Sequence, residues 1–548
     1  MAELSKVKQE LIAEIEKRVE DHVLEPSNAE LLNKLIIQAD NDNEALSIAT
    51  LGTMYKKTGL HFDARLEPIT THDIRYFRKN TELSFHTDDS KPTHKLIIGD
   101  NYEALQNLLV QYTGAIDVIY IDPPYGKDSM GEFAQTNYQN AITRDNLLSM
   151  LYPRLQLAKQ LLSDSGVIFC SIDDKNQAYI KCLFDEVFGE RNFIANSIIV
   201  NNRGGRDYGG IAVQHEYLLI YAKDIFGYEL NEIEETDKKF DYTDEEGGFN
   251  LMELRNRNVK FNSLNRPNLC YPFYLNPNSA DANGLYQISL EPNDDFSVEV
   301  KPAISQGIQT VWRWGKEEKS RANLNKVIFG KANQNGGYMI VQKYRKTTKM
   351  QRSVWDEKEF VNERGSEMVK EILGYGVFDY PKSMWLLRRA IELSSKPDSV
   401  ILDFFAGSGT TGHAVLDLNR SEEKEGDLFA ETNTGGNRTF ILCQMNEITD
   451  TTPNGIAYDV TAKRLKRIMT GECYDGTKDF EWIKKNKPYG GNLDVYDIDK
   501  VADFNYSEGK SPFDVIDETL YGLPKFATLQ EKIEWVCSHF ANARKTLE

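Results

Sequence analysis

Asp122, Pro123, Pro124 and Tyr125 follow the apolar run DVIYI at 117–121. Two consecutive prolines remove two backbone donors and fix two φ angles, so a strand must end there in a rigid, extended turn. The turn holds a carboxylate, a carbonyl and an aromatic ring in fixed places. That set suits one kind of chemistry. An amino group on a heteroaromatic ring is a poor nucleophile, because its lone pair is delocalised into the ring. Acceptors aimed at its two N–H bonds push density back onto nitrogen, and the Asp122 carboxylate and the Pro123 carbonyl are the natural pair. The prolines keep both in place without reorganisation. Tyr125 supplies a face on which a flipped base stacks.

A second stretch, ILDFFAGSGTTGHAVL at 401–416, reads as strand, tight turn and helix start, with Gly407, Gly409 and Gly412 spaced G-x-G-x-x-G. Glycines there let backbone amides approach a ligand, and the helix N-terminus favours a negative group. The residues in play are Asp403, Phe405, Ala406, Gly407, Ser408, Gly409 and Thr410. The next apolar strand, TFILCQM, is followed by Glu447, whose carboxylate can accept from ribose hydroxyls. A dinucleotide site has its acid roughly 20 residues on; here a polar segment at 419–438 lengthens the spacing as a surface loop. By itself the loop indicates an adenosine-containing cofactor and leaves open which one, NAD and FAD included.

Both stretches need a sheet to position them. HKLIIGD, IDVIYID, GVIFCSID, SIIVNN and EYLLIYAK are short apolar runs, several separated by helical segments such as 146–162 and 177–188. Strands alternating with helices predict an α/β fold with a mostly parallel sheet covered on both faces. Residues 226–370 break the rhythm and are rich in Asn, Gly, Tyr and Trp; it returns after 370. The expected organisation is a helical extension at 1–90, a first catalytic part at 91–225, an insert at 226–370, a second part at 371–470 and a tail at 471–548. In the extension Leu4, Val7, Leu11, Ile15, Val19 and Val23 recur at helical spacing.

Composition excludes several classes. The chain has 548 residues, enough for two to four domains. The six cysteines and eight histidines are scattered without a CxxC pair, which argues against zinc and for reduced thiols in the cytoplasm. Charges interrupt the apolar runs at the N-terminus, unlike a signal peptide, and no run approaches the ~18 residues of a membrane span. The net charge of −19 taken alone argues against a nucleic-acid partner. Its distribution matters more. Acids cluster at 231–248 and 421–427, whereas 338–352 carries five positive charges and no negative one.

With these residues in view, the chain resembles the amino-methylating DNA methyltransferases. DPPY precedes FAGSG, the permuted order of that family's β group, and LIIGDNYEAL, HEYLLIYAK and GVFDYPKSMWLLRRAIELSS resemble the flanking segments. More narrowly it resembles the modification subunit of type III restriction systems, through the helical extension, the large insert, RPNLCYPFY and TVWRWGKEEK. The resemblance implies a Rossmann-like methyltransferase sheet with an inserted target-recognition domain. It implies S-adenosylmethionine as cofactor and direct, in-line passage of the methyl to nitrogen. Asp122, Pro123, Pro124 and Tyr125 would be catalytic. Asp100, Pro381, Lys382 and Ser383 would join the glycine loop and Glu447 at the cofactor. The family pattern favours N6 of adenine, with N4 of cytosine open. No Pro-Cys dipeptide occurs, which removes carbon-5 cytosine chemistry.

The expected partners are double-stranded DNA, a second copy of the chain and a separate restriction subunit. SEGKSP lacks the first glycine of a phosphate-binding loop, so ATP hydrolysis would lie on that partner. The stretches 126–140 and 201–210 are candidates for lids and strand contacts. DNA-contact candidates are Arg203, Arg206, Arg255, Arg257, Arg266, Trp312, Arg313, Lys343, Arg345 and Lys346, since arginine reads guanine edges and lysine binds phosphate. A solitary methyltransferase without a nuclease partner, methylation of RNA and a non-catalytic recognition role are the remaining rival readings.

Overall fold

The computed structural model describes residues 4–20, 24, 26–53, 73–125, 144–205, 210–235, 238–374, 377–422, 436–501 and 511–540. Arg206 and the stretch 126–140 lie outside the described residues. The chain divides into two compact units, residues 1–231 with 352–548, and residues 232–351.

The first unit is built on one sheet of eleven strands. In chain order they are β1 (Arg75–Lys79), β2 (Phe85–His86), β3 (Thr93–Ile98), β4 (Ile116–Ile121), β5 (Leu162–Ile172), β6 (Phe193–Val200), β7 (His215–Ala222), β8 (Val354–Trp355), β9 (Val400–Asp403), β10 (Thr439–Gln444) and β11 (Asn492–Lys500). Their order across the sheet is β1-β11-β3-β10-β9-β4-β5-β7-β6-β8, with β2 beside β11. From β11 to β5 every pairing is parallel, and β7 runs antiparallel between β5 and β6. This is the expected α/β fold. Consecutive residues Val118 to Ile121 of β4 are all buried, as a strand covered on both faces requires.

Helices connect and cover these strands. α1 (Lys6–Glu20), α2 (Pro26–Gln38) and α3 (Asp42–Thr53) form a small core of their own around Ile15, Ala29, Ile36 and Ala45. Of the apolar stripe named above, Ile15 is buried, Leu11 and Val19 pack against it, and Val23 lies outside the described residues. α4 (Asn101–Tyr112) starts where Asp100 caps it by accepting from the Tyr102 N–H at 2.8 Å. α5 (Arg144–Leu161) and α6 (Gln177–Phe188) contribute Leu148, Leu151, Leu155, Leu183 and Phe184 to the main core. Burying each such side chain stabilises the fold by about 2 kcal/mol. α7 (Asn362–Leu373), α8 (Met384–Ser394), α9 (Thr410–Ser421), α10 (Lys463–Thr470) and α11 (Leu529–His539) follow. No described helix is long and apolar enough to cross a membrane.

Element boundaries differ from expectation in three places. The last described helix of the N-terminal extension is Asp42–Thr53, and Arg75–Lys79, still within the expected 1–90, enters the sheet against β11. The second unit begins at 232 and ends at 351, inside the expected 226–370. Residues 352–370 belong with the sheet: β8 pairs parallel with β6, and Gly365 of α7 packs so closely that a Cβ would stand 2.2 Å from the Pro381 carbonyl oxygen. The segment after 471 supplies β11 and several core residues. Tyr521 accepts from the Phe77 N–H at 2.9 Å and donates to Asn107 at 2.7 Å. Aromatic and acidic composition hid these elements, because their partners are hundreds of residues away.

The second unit, taken by itself, is antiparallel. Strands Gly247–Glu253, Ile328–Ala332 and Tyr338–Tyr344 pair in one sheet. Its main core gathers Leu254, Phe273, Leu275, Trp312 and Ile340.

Candidate active site

The strands that carry the two sequence features are neighbours. Leu402 of β9 lies opposite Ile119 of β4 in parallel register, so three residues further along each strand Phe405 and Asp122 begin their loops. From β9 the sheet continues through β10 on one side, and from β4 through β5 on the other. In open α/β sheets a ligand crevice forms at such a switch point, beyond the carboxyl ends of the strands.

The glycine loop is held from several sides. Gly407 (φ +53°) and Gly409 (φ +76°) are left-handed, which costs glycine nothing and a side chain about 1 kcal/mol or more. Asp403 accepts from the Phe405 N–H at 2.9 Å and from the Thr411 hydroxyl. Burial pushes the Asp403 carboxyl up to about 7. Gln444 accepts from the Gly407 N–H, and Thr461 donates to the Gly407 carbonyl, both at 2.6 Å. Arg464, 1% exposed, donates to the Ser408 hydroxyl at 3.0 Å and the Thr410 hydroxyl at 2.8 Å. Ala406, Ser408 and Thr410 are buried, and Phe405 is half-buried.

At the end of β4 the Tyr125 hydroxyl donates to Asp122 Oδ1 at 2.8 Å. Asn176 donates to the Tyr125 carbonyl at 2.8 Å and pins the end of the turn. Lys382 reaches the same place: its Nζ is 2.6 Å from Tyr125 Oη, 2.6 Å from Glu216 Oε2 and 3.4 Å from Asp122 Oδ1. Lys382 and Glu216 are both buried. Burial pushes the Tyr125 phenol well above its ordinary range, and the neighbouring Asp122 adds to that. Burial also raises the Glu216 carboxyl. For Lys382 burial acts downward, but Asp122 and Glu216 outweigh it and hold the ammonium above its usual value.

The other cofactor residues expected from the sequence are placed unequally. Glu447 stands three residues past β10, and burial raises its carboxyl. Among the described residues none hydrogen-bonds or ion-pairs with that carboxylate. A half-buried acid that no described residue engages fits a ribose hydroxyl, whereas the N–H groups of Phe405, Ala406, Gly407 and Gly409 are already hydrogen-bonded within the protein. Asp100 has two duties already: it caps α4, and Arg154 donates to both its oxygens at 3.2 Å. Asn101 next to it donates to the Phe404 carbonyl at 2.8 Å and ties α4 to the glycine loop. Pro381 is buried against α7, and Ser383 donates to the Glu359 carbonyl at 2.6 Å. Lys382 points to the DPPY turn.

Glu216, Asn176, Arg154 and Arg464 were not singled out from the sequence. Glu216 had a signal, as the single charge inside the apolar run EYLLIYA that is buried in β7. Arg154 and Arg464 look like ordinary polar positions of helices, and only tertiary contact marks them.

The DNA-contact candidates separate into packed and outward residues. Trp312 lies in the core of the second unit, and its indole N–H donates to the Tyr271 carbonyl at 2.7 Å. Lys343 and Arg345 both engage Asp244, and Lys346 engages Glu232. Arg345 and Lys343 hold the Asp244 carboxyl down at about 2. The basic run at 343–349 is thus matched by acids from 232–246, two segments that the sequence shows separately. Arg255 and Arg257 share Glu253 at 2.7 and 2.9 Å. Arg266 and Arg313 are exposed, the latter against Met252. In the first unit Arg203 is exposed and bonds to the Asp356 carbonyl.

Residues 116–451 match the family of N6 and N4 DNA methylases. A second match, to a conserved family of uncharacterised proteins, covers residues 8–117. The chain is 32% identical over 407 residues to the type II methyltransferase M.KpnI of Klebsiella pneumoniae, covering 71% of this chain and 89% of that protein. It is 29% identical over 481 residues to the Mod subunit of the type III restriction-modification enzyme EcoPI of Escherichia phage P1, covering 79% and 69%. Among solved structures it is similar to the PvuII cytosine-N4-specific DNA methyltransferase, with a TM-score of 0.32, 9% identity and coverage of 65% and 83%. The chain belongs to the DNA methylase family. It is a DNA methyltransferase of the class that methylates exocyclic amines.

Proposed function

We propose that the protein transfers the methyl group of S-adenosylmethionine to N6 of a flipped-out adenine in duplex DNA. It would serve as the modification and specificity subunit of a type III restriction-modification system. The observation that carries this reading is the adjacency of β4 and β9, parallel neighbours whose carboxyl ends lead into the Asp-Pro-Pro-Tyr turn and the glycine loop.

S-adenosylmethionine supplies an electrophilic methyl on sulfur. Gly407 and Gly409 leave room for its close approach, and Glu447 accepts from its ribose hydroxyls. Asp122 Oδ and the Pro123 carbonyl accept from the two N–H bonds of the target amine and aim its lone pair at the methyl. Tyr125 stacks on the flipped base and offsets the loss of stacking in the duplex. Alignment of the two reactants supplies much of the acceleration. The type III relatives support a restriction subunit as partner; the reading also takes this chain to act as a homodimer in the cytoplasm.

Incubation with tritiated S-adenosylmethionine and mixed-sequence duplex DNA, followed by digestion to nucleosides, tests the reading. Label is expected in N6-methyladenine and absent with Asp122→Ala. Label in N4-methylcytosine would keep the mechanism and overturn the base. Label in RNA alone, or none despite cofactor binding, would overturn the reaction. Co-purification with the nuclease subunit and the mass in solution test the assembly.

A further inference from the structure

Three charged side chains meet behind the acceptor turn. Asp122 belongs to the turn after β4, Glu216 to β7 and Lys382 to the segment before α8. One ammonium therefore stands against two carboxylates, in a place where Lys382 is 8% and Glu216 4% exposed. A buried ammonium costs a great deal unless it is paired, and Glu216 at 2.6 Å pairs it. Its remaining N–H bonds reach Tyr125 Oη at 2.6 Å and Asp122 Oδ1 at 3.4 Å, which are the groups an incoming base must meet.

We propose that Lys382, anchored by Glu216, is a positioning residue for methyl transfer: its ammonium holds the Asp122 carboxylate as a charged acceptor and fixes the Tyr125 ring beside it. The proposal rests on the amino-methylation reading given above. It moves Lys382 from the cofactor to the target-base side of the site.

The physical reason is the burial of Lys382 and Glu216 behind a partly exposed Asp122. When a base enters, water leaves Asp122, and a carboxyl losing water tends to take up a proton. A protonated Asp122 offers an O–H where an acceptor is needed. Glu216 on β7 adds a like charge to that pressure, as does Asp403 on β9 where it is ionised; Tyr120 on β4 and Cys170 on β5 stand nearby as neutral groups, and the Tyr125 hydroxyl opposes the pressure by donating to Asp122 Oδ1. Lys382 is the opposing charge among the described groups that contact Asp122.

The test is the pH profile of single-turnover methyl transfer by the full chain, with saturating S-adenosylmethionine and mixed-sequence duplex DNA. Wild type is expected to be flat from pH 6.5 to 8.5. Lys382→Met is expected to be slower by about 30-fold at pH 7, with the loss shrinking by up to about tenfold per pH unit above it. Glu216→Gln in the same background removes one like charge and should move that acidic limb down again. Equilibrium dialysis should show cofactor affinity within twofold of wild type. A uniform loss at every pH, or weakened cofactor binding with an unchanged rate at saturation, would overturn the proposal.

Should Lys382→Met fail to fold, Glu216→Gln alone carries the test: loss of the anchor should slow transfer at saturating S-adenosylmethionine and leave cofactor affinity unchanged, and an unchanged rate would overturn the idea. An arm independent of turnover is acetylation of Lys382 followed by mass spectrometry. Lys382 should become more reactive in Asp122→Asn, and equal reactivity in the two proteins would overturn the coupling. This arm stands even if wild type methylates no DNA.

Discussion

The hydroxyl of Tyr125 donates to the Asp122 carboxylate three residues before it, at 2.8 Å, so the stacking ring and the acceptor are tied across the two prolines. Replacing either should separate their roles. Asp122→Ala removes an oriented acceptor and is expected to lower the methyl-transfer rate constant at least about 100-fold, with cofactor binding unchanged. Tyr125→Phe keeps the stacking face and should cost about tenfold. Tyr125→Ala loses the face as well and should weaken DNA capture by a further ~1–3 kcal/mol. Single-turnover rates against DNA concentration distinguish the three.

Glu447 carries a half-buried carboxylate that no described residue engages. Two hydroxyls of a ribose would satisfy it. Glu447→Ala is therefore expected to weaken S-adenosylmethionine binding by about tenfold to a hundredfold, the size of a charge-assisted hydrogen bond. Stability without cofactor should be unchanged or slightly raised, since an unpaired buried acid is removed. Equilibrium dialysis beside a thermal scan reads both.

Asp403 should report on pH. Its folded value of about 7 lies above the ~3.9 of an unfolded aspartate, so the folded chain holds the extra proton between those limits. Stability contributed by this group is full below about pH 4 and falls as pH rises through about 7. In Asp403→Asn the dependence is removed. From pH 5 to pH 7 the balance should move in the variant's favour by roughly 1 kcal/mol per pH unit. Urea unfolding of the two cofactor-free proteins across that range measures it.

In the second unit, core and surface should respond differently. Trp312→Ala leaves a cavity among Phe273, Leu254 and Ile340 and should destabilise the unit by about 3–5 kcal/mol. Arg266→Ala and Arg313→Ala, both at exposed positions, should leave stability within about 0.5 kcal/mol. If they contact phosphate, each should reduce the salt dependence of DNA binding by about one unit of slope. Hydrogen exchange and filter binding at several salt concentrations give the two readouts.

The alternation of short apolar runs with helical segments was legible before any coordinates, and so was the sheet it builds. What escaped was long-range pairing. The strand Asn492–Lys500 lies between Arg75–Lys79 and Thr93–Ile98, some 400 residues earlier, and a run such as NLDVYDIDK shows no clear apolar face by itself. The basic run at 338–352 read as a possible DNA surface because the acids at 232–246 that meet Lys343, Arg345, Lys346 and Lys349 are distant in sequence. Charge counted along a chain says nothing of which charges meet.

Asp122, Pro123, Pro124, Tyr125 and the glycine loop could be identified from residue type and spacing, because backbone rigidity and left-handed turns are local properties that proline and glycine impose wherever they stand. The sequence alone therefore carried the chemistry proposed above: two acceptors and a ring for an amine, and a loop for an adenosine-bearing donor. Tertiary structure alone decided which distant groups surround that chemistry. It brought Glu216 and Lys382 behind Asp122, gave Asp100 to Arg154, and placed Trp312 in a core. Burial and opposite charge select such neighbours only when the chain has folded, and no short stretch of residues carries that information.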